Sequence, residues 1–162
     1  MKTFEIHRKQ YINKPLDIVF EFFSKPENLE MITPKSLSFN ILTPTPIKMA
    51  KGSLIDYTIH LFGIPIHWRT LISDYEPPFR FVDQQIKGPY TFWHHTHTFQ
   101  AIGGGVEIID KVKYSLPLGW LGTLVHSIWV RKDLEKIFDH RKTVIQNYFG
   151  SINISNERMV ES

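Results

Sequence analysis

The chain contains no cysteine. That excludes disulfides, thiolate metal sites, iron–sulfur clusters and cysteine nucleophiles in one step, and it suits a reducing compartment. No apolar run approaches the ~18 residues of a membrane span. The opening Met1-Lys2-Thr3-Phe4-Glu5-Ile6-His7 has no apolar core of the kind a secretory signal needs. A cytoplasmic protein without a transmembrane segment is therefore expected. Gly-x-Ser-x-Gly is missing, so there is no serine nucleophile elbow. A basic block is missing too: the formal charge is +3, with the basic residues scattered, and nucleic acid is not an expected partner. The mild positive balance is compatible with transient contact at a membrane surface.

What is abundant is aromatic surface. Twelve Phe, four Trp and six Tyr make up 14% of 162 residues, which favours large buried faces or a greasy pocket. The length suits one domain, expected over residues 1–150, followed by a polar tail over 151–162.

Phe4 to Ile12 alternates loosely and reads as a strand, ended by Asn13-Lys14-Pro15. Pro15 suits the first turn of a helix whose stripe is Leu16, Val19, Phe20 and Phe23; a short second helix is expected over Glu27 to Met31. From Ser36 to Leu116 the period changes to two, with turn signals at Pro44/Pro46, Gly52, Gly63, Pro77-Pro78, Gly88-Pro89 and Gly103-Gly104-Gly105. Short connections between about six strands predict an antiparallel meander. After Pro117, apolar residues from Leu121 to Phe149 recur at three- and four-residue steps, about 45 Å of helix, and its aromatic residues are expected in the core, some doubling as cavity wall.

The order predicts an α+β domain. A curved, antiparallel, seven-stranded sheet wraps a long C-terminal helix, with two short helices after the first strand. This order resembles the START-like, pollen-allergen-like and polyketide-cyclase superfamily, SRPBCC, with its helix-grip fold. The residues that carry the resemblance are Pro15-Leu16-Asp17-Ile18-Val19-Phe20, Glu76-Pro77-Pro78-Phe79-Arg80-Phe81-Val82-Asp83, and Gly88-Pro89-Tyr90-Thr91-Phe92-Trp93 followed by His95-Thr96-His97-Thr98-Phe99. The resemblance implies a hydrophobic cavity between sheet and helix that binds or carries a lipid, quinone or polyketide-like molecule. In some branches it implies catalysis. It implies no cofactor and no metal.

Trp93, His95, His97 and Phe99 share one face of a strand by strict alternation. A hairpin closed at glycines 103–105 pairs Ala101 with Val106, Phe99 with Ile108, His97 with Asp110, His95 with Val112 and Trp93 with Tyr114. From the Pro77-Pro78 turn, Ile72 is expected opposite Phe81, Thr70 opposite Asp83 and Trp68 opposite Gln85. Crossing Gly88-Pro89 brings Asp83 near His95. The product is a polar group of Asp83, His95, His97 and Asp110 within an aromatic wall of Trp68, Phe81, Trp93, Phe99 and Tyr114.

Three readings compete for this group. Buried acids and imidazoles can simply satisfy each other and fix register. They can orient a ligand in a cavity that needs a few placed polar groups. They can also move protons, with His95 or His97 as the base and Asp110 or Asp83 as the orienting acid of a cyclase- or dehydratase-like enzyme. A fourth use, metal chelation by His-x-His with Asp110 as third ligand, rests on rings about 6.6 Å apart at the backbone; by itself that spacing is a weak signal, and the resemblance implies none. Arg141 is expected on a solvated face or in a salt bridge, or at the cavity mouth meeting an anionic group. His60, His67 and His94 read as surface residues. A protein-interaction or membrane-surface adaptor is the remaining class.

Overall fold

In the computed structural model, residues 1–150 are described; the expected polar tail lies outside them. Seven strands form one antiparallel sheet in the order β1-β7-β6-β5-β4-β3-β2. They are β1 (Phe4–Ile12), β2 (Asn40–Ile41), β3 (Leu54–Leu61), β4 (Ile64–Glu76), β5 (Arg80–Lys87), β6 (Phe92–Ile102) and β7 (Gly105–Ser115). The chain from β3 to β7 is a meander, and β1 returns to pair with β7, as short connections between period-two segments require. No helix among the described residues is long and apolar enough to cross a membrane.

Helix α1 (Leu16–Phe23) begins after Pro15 with Asp17 in its first turn, where a carboxylate faces the positive end of the helix dipole. It buries Val19, Phe20, Phe22 and Phe23. The second helical stretch is a 3₁₀ turn, Pro26–Asn28, running into α2 (Leu29–Ile32). The C-terminal helix is not one regular rod. It starts as α3 (Gly119–Val125), passes through a π-helical turn (His126–Val130) and continues as α4 (Arg131–Phe149).

That π turn explains a departure from expectation. One wide turn shifts the phase of an apolar stripe, so residues in step before it fall out of step after it. Leu134, Phe138 and Ile145 of α4 are buried, whereas Trp120, Leu121, Leu124, Ile128 and Trp129 are exposed instead of joining the core; Tyr148 is exposed as well.

Two apolar clusters organise the interior. One holds α1 side chains with Phe81, Phe99, Val106, Ile108 and Ile145. The other joins Ile6, Ile59, Trp68, Trp93, Val112 and Tyr114 to Leu134 and Phe138. The concave face between these clusters and α4 carries the site.

Candidate functional site

The β6–β7 register is the one expected from the glycine turn: Trp93 lies opposite Tyr114, His95 opposite Val112, His97 opposite Asp110, Phe99 opposite Ile108 and Ala101 opposite Val106. Asp83 lies opposite His95 across β5–β6. The β4–β5 register differs. Ile72 faces Asp83, Thr70 faces Gln85 and Tyr75 faces Phe81, because the hairpin closes at Glu76 and Arg80 and a bulge interrupts pairing between Ile72 and Asp74. For the pairs of Ile72 and Thr70 the displacement is two residues. An even shift preserves which face each side chain occupies, so Trp68, Thr70, Ile72, Phe81 and Asp83 still share the concave face.

Asp83, His95, His97 and Asp110 meet there, and the closest side-chain contacts cross the ladder instead of following it. His95 Nε2 lies 2.8 Å from Asp110 Oδ1, and His97 Nε2 lies 2.6 Å from Asp83 Oδ2. Two longer approaches complete the square: His95 Nδ1 to Asp83 Oδ2 at 3.6 Å, and His97 Nδ1 to Asp110 Oδ1 at 3.1 Å. The 3.1 Å approach is an ionic contact off the hydrogen-bond axis, and it leaves His97 Nδ1 without a hydrogen-bond partner. The two imidazoles stack with centroids 3.6 Å apart, and Phe81 stacks on His97 at 4.1 Å.

Arg141 comes from α4, one turn beyond Phe138, and is largely buried. Its Nη2 lies 3.6 Å from Asp110 Oδ1, and its guanidinium sits 5.4 Å from the Phe23 ring. The salt-bridge expectation for Arg141 thus holds, with the acid of the cluster as partner.

Burial and charge oppose each other at every titratable group here. Burial disfavours an ionised Asp110, but the Arg141 charge and the His95 and His97 contacts outweigh it and hold this carboxyl well below its usual range. Asp83 is also lowered: its burial is overcome by the charge of His95 and the contact with His97. The imidazoles split. Burial and the neighbouring His97 charge lower His95, while for His97 the contacts with Asp110 and Asp83 overcome burial and raise it. The shifts thus favour ionised carboxylates beside Arg141, the imidazolium form at His97 and the neutral form at His95.

A cavity of about 210 Å³ opens beside this cluster, lined by side chains that include Trp68, Phe81, Asp83, Trp93, His95, His97 and Arg141. Phe99, Asp110 and Tyr114 share the face but do not line the cavity. Asp110 stands behind the imidazoles. Sequence patterns missed several wall residues, namely Phe22 and Leu29 from the short helices, Tyr57 and Ile59 from β3, and Leu134 from α4, while Phe138 is an aromatic of the last helix that doubles as cavity wall as expected. Their apolar periodicity was legible, but periodicity alone does not separate a cavity wall from a packed core.

Of the peripheral histidines, His67 and His94 behave as expected of a partly solvated sheet face, whereas His60 is half-buried with its Nδ1 buried and without a hydrogen-bond partner among the described residues. His67 Nε2 lies 2.6 Å from Asp56, which also accepts from Arg69 at 2.8 Å, and all three are partly exposed. His94 is half-buried, with parity opposite to His95.

His126 in the π turn was not anticipated. It is buried, stacks on Phe4 with centroids 3.5 Å apart, and its Nε2 is hydrogen-bonded to the Tyr114 hydroxyl at 2.7 Å. Burial, with the nearby Arg131 and Lys2 charges, lowers its pKa. A lowered imidazole pKa means the unfolded chain binds the proton first as pH falls. Stability is then expected to be full above the ordinary histidine range and to decline as pH drops through it. His126→Gln, which keeps a hydrogen-bond partner for Tyr114, should flatten that part of a urea-midpoint-against-pH profile; an unaltered slope would assign it to other groups.

Neither a protein-family model nor a curated protein matches the sequence. Solved structures do. A protein from Thermus thermophilus superposes with a TM-score of 0.65 at 16% identity over 90% of this chain and 94% of its own. Ginseng major latex-like protein 151 from Panax ginseng gives 0.66 at 12% identity over 91% and 97%. Ara h 8.0201 gives 0.62 at 14% identity over 91% and 98%. The chain thus has the START-like helix-grip fold, a seven-stranded antiparallel sheet with a long C-terminal helix. At these identities the likeness speaks for fold and not for a site.

Proposed function

We propose that this protein binds or carries a compact apolar molecule bearing one polar group, of the lipid, quinone or polyketide-like class, in the cavity between sheet and α4. The observation that carries this reading is the composition of the cavity wall. It is mainly aromatic and aliphatic, and it brings two imidazoles, a carboxylate and a guanidinium to one place. Apolar burial at about 25 cal/mol per Å² supplies attraction, and the polar cluster selects orientation. Trp68 Nε1 is buried without a partner among the described residues and offers a further donor. A volume of about 210 Å³ is below the ~300–1,000 Å³ of drug-sized sites, which favours one or two rings or a short chain.

Ile59 lines the cavity from β3 and is buried. Ile59→Phe adds volume to empty space and is expected to weaken binding of a naphthol-sized probe at least tenfold, read by quenching of Trp68 and Trp93 fluorescence in chelator-treated protein. Equal affinity in the variant would place the probe elsewhere and sink the reading.

One observation favours a second, catalytic reading. His95 engages Asp110 through Nε2, which turns Nδ1 toward Asp83 on the side that lines the cavity, where a neutral imidazole can act as base. Exchange of the α-proton of a bound aryl ketone for deuterium, lost in His95→Gln, is its readout.

A further inference from the structure

We propose that Asp83, His95 and His97 form a binding site for one divalent first-row transition ion of the zinc class on the cavity wall. This deepens the cavity reading only in the fourth ligand, which would be a polar atom of the bound molecule. The ion site itself stands independently of what else the cavity holds.

The donor set is two imidazoles and a carboxylate, the borderline nitrogen and oxygen ligands such ions prefer. One ligating atom from each side chain lies within 4.8 Å of the others. The sheet produces this convergence: His95 and His97 are two residues apart on β6, and Asp83 is opposite His95 on β5.

The two nitrogens of each ring are divided between two acids. His95 Nδ1 and His97 Nε2 face Asp83, while His95 Nε2 and His97 Nδ1 face Asp110. A metal-bound histidine characteristically gives its other N–H to a carboxylate, which fixes the tautomer and turns the lone pair to the ion. Asp110 is placed to serve His95 in this way through Nε2 at 2.8 Å and makes an ionic contact with His97 Nδ1 at 3.1 Å, and it is itself held by Arg141. It stands behind the imidazoles while the three proposed ligands line the cavity. The proposed ligand here is therefore Asp83, and Asp110 is a positioning residue.

The spacing fits. Bonds of 2.0–2.2 Å put tetrahedral ligand atoms about 3.3–3.6 Å apart. His95 Nδ1 and Asp83 Oδ2 are already 3.6 Å apart. The 2.6 Å contact of His97 with Asp83 has to open by about 0.8 Å to reach that spacing. Three protein ligands leave a coordination position open toward the cavity, the arrangement of sites that admit a further ligand.

The test uses the full chain, treated with chelator and titrated with zinc chloride by calorimetry and with cobalt(II) by its visible d–d absorption. One equivalent per chain is expected, together with a rise in thermal midpoint as zinc binds the folded state. His95→Gln and Asp83→Asn should each weaken zinc at least tenfold, Asp110→Asn by about 10–100-fold, and His94→Ala not at all. Imidazole nitrogen NMR of the unmodified protein gives a readout that needs no variant: zinc must shift His95 Nδ1 and His97 Nε2 selectively. Absence of saturable binding, or binding of equal strength in the cavity variants, overturns the site. Because the naphthol-sized probe is measured without metal, failure of the ion site and failure of the cavity reading give different results.

Discussion

Asp110→Leu is expected to lower the free energy of unfolding by about 3–5 kcal/mol, because it removes one member of a buried charge group and strands the rest. Leucine keeps the branched shape of aspartate at a somewhat larger volume, so the lost charge dominates over repacking. Arg141 and His97 lose the carboxylate that holds them, and the His95 Nε2 proton loses its acceptor at 2.8 Å. His97 can partly relieve the strain by giving up its proton, since Asp83 remains its only acid. Arg141 has no such escape, since a guanidinium does not deprotonate in a protein. The double variant Asp110→Leu/Arg141→Met should therefore recover a substantial part of the loss, as replacing a whole buried ion group by apolar side chains often does. Urea denaturation of the two single variants and the double closes the cycle. A loss below about 1 kcal/mol for Asp110→Leu would show that water already screens the cluster as it does an exposed pair.

The same cluster shows how far the sequence reaches. Alternation along Trp93 to Phe99 and the glycine turn at 103–105 fixed the partners of His95 and His97 across β7, because a short turn sets register and parity sets the face. The β4–β5 register escaped, since a bulge between Ile72 and Asp74 inserts a residue that alternation does not announce. Even so, an even displacement left the faces intact. Which acid each imidazole contacts most closely was not legible either. His97 lies opposite Asp110 in the backbone yet approaches Asp83 more closely, because an imidazole presents two nitrogens, one to the acid opposite and one to the acid diagonal to it. His126 and the exposed Trp120 and Trp129 were hidden by the π turn, where a 3.6-residue reading loses phase. Arg141 follows the stripe of Leu134, Phe138 and Ile145, and only its burial beside Asp110 separates it from a surface arginine.

Phe99→Ala is expected to cost about 3–5 kcal/mol of stability, the range for deleting a buried phenylalanine, while leaving probe affinity in the cavity nearly unchanged. Phe99 is 1% exposed. Its ring lies 5.1 Å from Phe20 and 5.4 Å from Phe23 on α1, and 6.0 Å from Phe81 on β5, so it ties the first helix to the sheet. It does not itself line the cavity, and the void left by truncation lies behind Phe23 and Phe81, which do and which can only partly close it. Phe138→Ala provides the contrast. That ring lines the cavity and lies 5.8 Å from His95, so its loss enlarges space that already exists and should change ligand selectivity more than Phe99→Ala does. Urea midpoints and probe titrations on both variants separate the two roles. If Phe99→Ala weakens the probe as strongly as Phe138→Ala, the core and the cavity act as one cooperative unit, and the division drawn between them fails.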